Sequence, residues 1–321
     1  MIPARGLLLL LACAWTGCAQ PERTERDDGA LRPVATCAPA ELGATLRAHA
    51  EVTLVIAVDC GIEPALAAVA DAGRDQSPFL IVVGARPAEG PMPDVCIEAP
   101  TGADAAIDLA LLACQGAPPT RTRYELGART WTSANRAAGG ATTAGPADAI
   151  FALLRSQPAG AGKRPATATT VHKVALLASA QPTDSQQTVA DDVRAAASRR
   201  PNLELFEPAS ATAAVERGAG ALLLTTSDPQ MTEAAKRAAR NAADRSAAVI
   251  VLDPMLVAAH DSCRIGCPPA AVARATAAAV RRLLPEGGDV VFCAPQNAAD
   301  LTAARITAVA NALGFDPVRL R

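Results

Sequence analysis

Two stretches of this chain repeat one pattern, and the repeat fixes the class of fold available to it. VTLVIAVDC and GALLLTTSD are continuous apolar runs that each lead into an aspartate, Asp59 and Asp228, 228 − 59 = 169 residues apart. At that offset FLIVVGA (79–85) falls on AVIVLDP (248–254) without a gap. One residue less sets Ile97 and Pro100 on Ile265 and Pro268, and a few less bring YELGA (124–128) near VVFCA (290–294). Strand and helix signals recur in one order in both copies, which reads as duplication of one α/β unit. Unbroken β-branched runs are strands covered on both faces, and strands alternating with helices make parallel sheets. The expected fold class is α/β, with two doubly wound parallel-sheet lobes from an internal repeat.

Half of the 321 residues are apolar and the formal net charge is −2, enough for two cores and no electrostatic case for nucleic acid. MIPAR carries positive charge, GLLLLLA is a short apolar run, and Cys13 and Cys18 follow, as in a secretory signal. This start resembles a bacterial lipoprotein signal, in which a cysteine carries the lipid. Leu10 to Cys13 fits the sequence pattern best, whereas Cys18 leaves a better apolar length but puts Trp15 in a poor place. The alternative is an ordinary cleaved signal. No later run reaches the ~18 apolar residues of a membrane helix. The expectation is an exported protein in the periplasm or cell envelope, tethered to the membrane by lipid on Cys18 or Cys13.

The expected organisation is a signal over 1–18, a polar tether over 19–36, a shortened first lobe over 37–156, a linker over 157–170 and a second lobe over 171–321. Residues 130–146 read as loop. Thr183 or Asp184 caps a helix with Val189 and Val193 inward. Export permits disulfides. Cys37 and Cys60 are expected on one rim of a sheet and Cys96 and Cys114 on the opposite rim, so each pair is a disulfide candidate. Cys263 and Cys267 lie four apart on a strand, about 13 Å, too far to bond.

Signatures of catalysis fail one by one. GAGKR (160–164) lacks the first glycine and the hydroxyl residue of a phosphate loop, and GxSxG and HExxH are absent. His49 reads as a core-edge residue and His172 as surface. His260, Asp261, Cys263 and Cys267 match no common zinc spacing. No cofactor or metal is expected, and no enzyme. In open parallel sheets ligands bind beyond the carboxyl ends of strands. Asp59, Arg86, Asp228, Asp253, Gln296 and Asn297 stand there and are the candidate contacts for a small polar solute. The competing reading is that such aspartates cap the next helix, as Asp228-Pro229 suggests.

The segments HKVALLAS, PNLELFEPAS, GALLLTTSDPQ, AVIVLDP, CRIGCPPAAVARATAAAVRRLL and DVVFCAP together resemble the type I periplasmic binding proteins, the solute receptors of sugar transporters. VTLVIAVD, FLIVVGA, VCIEAP and AAIDLALLAC look like a shorter copy lacking the opening strands. The resemblance implies Rossmann-like lobes closing on a small polar, sugar-like solute, read by an ABC transporter permease or a membrane sensor. It also implies that Asp228, Asp253 and Arg86 fall near ligand. SAQPTDSQQ lacks the family's sugar-stacking aromatic, and Pro254 replaces the Arg that often follows the second aspartate. In the family a helix then crosses to a second lobe that opens with a strand like DVVFCAP and continues well beyond it. Either the two repeats face each other as two lobes, or this is a rearranged relative with a weak or lost site. The alternative function is a structural or protein-interaction envelope lipoprotein that keeps the fold without a solute site.

Overall fold

A computed structural model describes residues 30–73, 76–84, 87, 90–143, 145–156, 170–226, 228–241, 247–256, 262–295 and 300–315. In chain order the elements are β1 (Leu31–Cys37), α1 (Leu42–Ala48), β2 (Val52–Val58), α2 (Ile62–Asp71), β3 (Phe79–Val83), β4 (Val95–Glu98), α3 (Ala103–Cys114), β5 (Arg123–Glu125), β6 (Arg129–Trp131), β7 (Ala141–Thr142) and α4 (Asp148–Ser156). They continue as β8 (His172–Leu177), α5 (Asp184–Ser198), β9 (Leu203–Phe206), α6 (Ala211–Glu216), β10 (Ala221–Leu224), α7 (Pro229–Arg240), β11 (Ala248–Leu252), β12 (Cys263–Gly266), α8 (Pro269–Leu283), β13 (Gly288–Cys293) and α9 (Asp300–Leu313).

The chain is α/β with parallel-rich sheets. The first sheet runs β1-β13-β2-β3-β4-β6-β7, parallel as far as β4, with β6 and β7 added antiparallel. The second, β5-β12-β11-β10-β8-β9, is parallel throughout. Local chemistry agrees with these elements. Thr183 accepts from Gln186 N while Gln186 Oε1 accepts from Thr183 N, a capping box that opens α5. Pro229 and Pro269 sit in the first turns of α7 and α8, where a missing N–H costs nothing.

Each sheet takes a strand from the other half of the sequence. After β4 the chain leaves the first sheet, and α3 packs on β8, β10, β11 and α5 of the second. β5 then extends the second sheet beside β12, and residues 126–128 return to β6 in the first. After β12 the chain crosses again through 267–268; α8 packs on β3, β4 and α9, and β13 enters between β1 and β2. Among the described residues 99–102, 126–128 and 267–268 thus pass between the sheets, and the chain changes sheet a further time between β7 and β8.

One apolar cluster runs through both sheets, from Leu54, Ile56 and Ile97 through Ile107 of α3 to Leu176, Leu223 and Ile265. Val55, Ala57, Val82 and Val291 face the other side of the first sheet against Leu42 and Leu46 of α1. Leu222, Leu224 and Val251 do the same in the second against Ala235 of α7. Burial on both faces is why these strands read as unbroken apolar runs.

Two stretches differ from the sequence reading. Residues 31–36, expected in the tether, belong to β1, an edge strand whose exposed and half-buried side chains and Pro33 hide its pairing with β13. Within 130–146, expected as loop, β6 and β7 form antiparallel pairs held by Trp131, which is buried and donates from Nε1 to Glu98 Oε2 at 2.8 Å. The segments 1–29 and 157–169, which carry the signal and lipidation candidates Cys13 and Cys18 and nearly all of the linker, lie outside the described residues.

Candidate functional site

The described strand-end aspartates all have partners within the protein. Asp59 follows β2 with a left-handed backbone (φ 53°), which an aspartate tolerates better than most residues. Its Oδ1 accepts from Arg305 Nη1 at 2.5 Å and its Oδ2 from Thr302 Oγ1 at 2.6 Å, both on α9. Gly84 at the end of β3 leaves the room for this carboxylate, since a Cβ there would overlap it. Asp228 is exposed and caps α7, accepting from Gln230 N at 2.9 Å. Asp253 is 2% exposed, accepting from Arg264 Nη1 at 2.6 Å and from Met255 N at 3.0 Å. Arg86, Gln296 and Asn297 lie outside the described residues, as do His260, Asp261 and GAGKR.

The cysteines separate into two groups. Cys37 and Cys60 do share a rim of the first sheet, with Cys293 between them. The pairing of Cys96 with Cys114 does not form. Cys96 is buried in β4, whereas the crossing at 99–102 carries α3 to the second sheet, where Cys114 Sγ lies 3.8 Å from Lys173 O. Burial pushes the thiols of Cys96, Cys263 and Cys267 up from 9.0 to about 12.

A cavity of about 540 Å³ opens where two of the crossing segments meet, lined by Pro100 to Ala105, by Leu126 and Gly127, and by parts of α4 and α5. Its polar wall is built by Glu98, Asp104, Arg129, Asp148, Asp192 and Arg199. Most are fixed: Asp104 pairs with Arg199 at 2.9 Å, and Asp192 Oδ2 accepts from Thr101 Oγ1 at 2.8 Å. Asp148 Oδ2 accepts from Gly127 N at 2.8 Å and from Gly145 N. Gly127 is required there because a Cβ would overlap the Thr143 carbonyl oxygen. Arg129 stands opposite Glu98 across the β4–β6 pair, and its guanidinium, on the cavity wall, makes no hydrogen bond or ion pair with the described residues. None of the strand-end candidates lines this space. A sequence signal existed in Pro100-Thr101-Gly102 after VCIE and Leu126-Gly127 after YE, two strand ends with a proline or glycine turn. No family model matches the chain, and no curated protein matches it.

Proposed function

We propose that this chain is an exported, lipid-anchored solute-binding protein without catalysis, with a circularly permuted form of the type I periplasmic binding fold. Strand order carries the reading. Counted with β13 as first strand, the parallel core of the first sheet, β1-β13-β2-β3-β4, has the order 2-1-3-4-5. Counted from β8, the second sheet's β9-β8-β10-β11-β12 has the same order. The starts of β3 and β11 differ by 248 − 79 = 169 and those of β4 and β12 by 263 − 95 = 168, matching the sequence repeat. A first unit whose opening strand and helix stand late in the sequence, as β13 and α9, explains why the first copy reads as shortened.

Crossing segments between two such units make a hinge, and closure about it expels water from a bound solute. The cavity at the crossings lies within the roughly 300–1,000 Å³ of small-molecule sites. Arg129 supplies donors there for a hydroxyl, carboxylate or phosphate oxygen of a small polar, sugar-like solute. A transporter permease or membrane sensor would read the closed form. The test is a melting screen of the chain from residue 19 against sugars, polyols, amino acids and nucleosides. A solute at 100 times its Kd adds about 2.7 kcal/mol, a shift of several degrees. Arg129→Ala should abolish that shift while moving the unliganded melting point by only a few degrees, because a half-buried side chain without a side-chain partner contributes little. The lipid anchor is tested by fatty-acid labelling in cells; label on the wild type and none on Cys13→Ser with Cys18→Ser supports it, and an unlabelled wild type refutes it.

The second reading, a protein-interaction envelope lipoprotein without a solute, is favoured by one observation: Asp59, Asp228 and Asp253 all hold protein partners. A flat screen on well-folded protein selects it.

A further inference from the structure

Three cysteines meet where β1, β13 and β2 end. Cys37 closes β1 and is the register partner of Cys293, which closes β13. Cys60 follows β2, turned back by the left-handed Asp59, so that its Sγ lies 3.7 Å from Cys293 Sγ and 3.3 Å from Cys293 O. Cys293 is fully buried, Cys37 nearly so, and Cys60 partly exposed. All three are free thiols. Neighbouring strands bring their residues within the Cα separation a disulfide requires, and rotation of two side chains closes a 3.7 Å gap between sulfurs.

We propose that Cys37, Cys60 and Cys293 form a thiol–disulfide exchange site, with Cys60 as the entry thiol and Cys293 as the partner shared by the other two. The Cys60 thiolate attacks one sulfur of a small external disulfide of the glutathione class, forming a mixed disulfide and releasing one thiolate. Cys293 gives up its proton and attacks Cys60 Sγ, forming the Cys60–Cys293 bond and releasing the second thiolate. Two electrons pass from the cysteine pair to the external disulfide, and the two protons released reach the leaving thiolates. Attack of Cys37 on Cys293 Sγ then moves the bond to Cys37–Cys293 and restores the Cys60 thiol. Hydrogen bonds from Cys293 hold the Cys37 and Cys60 thiols below their ordinary value, which favours thiolate at the first and last attacking positions. The same contacts and burial hold the Cys293 thiol above its own, so its attack is the slow step. Either bond fastens β13 to an element more than 230 residues away in sequence.

The experiment incubates the full chain from residue 19 with oxidised glutathione, traps residual thiols in acid, and digests with trypsin. Cys37, Cys60 and Cys293 fall in separate peptides, 27–47, 48–74 and 283–305. The expected product links 283–305 to 48–74 or to 27–47, two hydrogens lighter than the separate peptides, and melts several degrees above the reduced protein. Cys60→Ser should leave only the link between 27–47 and 283–305, formed more slowly; Cys37→Ser should leave only the link between 48–74 and 283–305. Three peptides carrying only glutathione or the trapping reagent overturn the proposal. So does a Cys37–Cys60 link with Cys293 left as a thiol.

Discussion

Asp59 is expected to be a structural anchor, and replacing it measures how much β2 depends on α9. Its carboxylate pairs with Arg305, whose side chain is 9% exposed, while Asp59's own side chain is 20% exposed. Arg305 Nε already lacks a partner among the described residues, so Nη1 to Asp59 is the bond that compensates this buried charge. Removing one member of a buried pair costs roughly 3–5 kcal/mol, and partial exposure of Asp59 places this case near 3. Asp59→Ala also puts alanine in the left-handed region, adding about 1 kcal/mol, whereas Asp59→Asn tolerates that backbone and keeps an acceptor. Urea unfolding should therefore show a loss of about 4 kcal/mol for Asp59→Ala and about half of that for Asp59→Asn. Arg305→Met combined with Asp59→Asn should recover part of the loss, because the orphaned charge is gone. Asp59→Ala within 1 kcal/mol of the wild type would refute the reasoning and return Asp59 to the pool of ligand contacts.

Two further predictions concern the core. Cys96, Cys263 and Cys267 keep their protons up to about pH 12 when folded but release them near 9.0 when unfolded. Above pH 9 the unfolded chain then holds fewer protons, so stability is full below pH 9 and falls between 9 and 12, by ~1.4 kcal/mol per unit for each thiol. Melting curves across that range should show the fall, and Cys96→Val should lessen it; equal slopes for the two proteins would contradict the assignment. Phe292 of β13 is 1% exposed and meets the ring of Phe315 edge-on at 5.8 Å, so Phe292→Ala should cost roughly 3–5 kcal/mol in urea unfolding. A loss under 1 kcal/mol would mean that β13 is not the inner strand of the first sheet.

What the sequence made legible depended on burial. β2, β3, β10 and β11 announce themselves because apolar residues fill both faces, and α5 because Thr183 and Gln186 are local chemistry. β1 was hidden by exposure and Pro33, and β6 and β7 by lengths of three and two residues. The pattern of DVVFCAP marks a strand but carries no record of its neighbours, and those neighbours, β1 and β2, stand more than 200 residues earlier. The same limit governs the site. Strand-end position singled out Asp59, but its partner Arg305 is 246 residues away, and only the fold shows that the carboxylate is already occupied. The cavity at the crossings was missed because it is assembled from strand ends of two different sheets.

The permuted order of segments is the claim on which the receptor reading stands, and re-permuting the chain tests it most directly. Both limits of the described chain contact β13: the Ala30 carbonyl accepts from Gly288 N, and Phe315 packs on Phe292. Joining Arg321 to Ala30 through a Gly/Ser linker of about eight residues, and opening the chain between 157 and 170, would on the proposed permutation give two units that each run first strand to last. The permuted fold predicts a soluble protein with the wild-type circular dichroism spectrum and one cooperative melt within a few degrees of the parent. An insoluble product, or one that loses its signal without a cooperative transition while the parent folds under the same conditions, would contradict it.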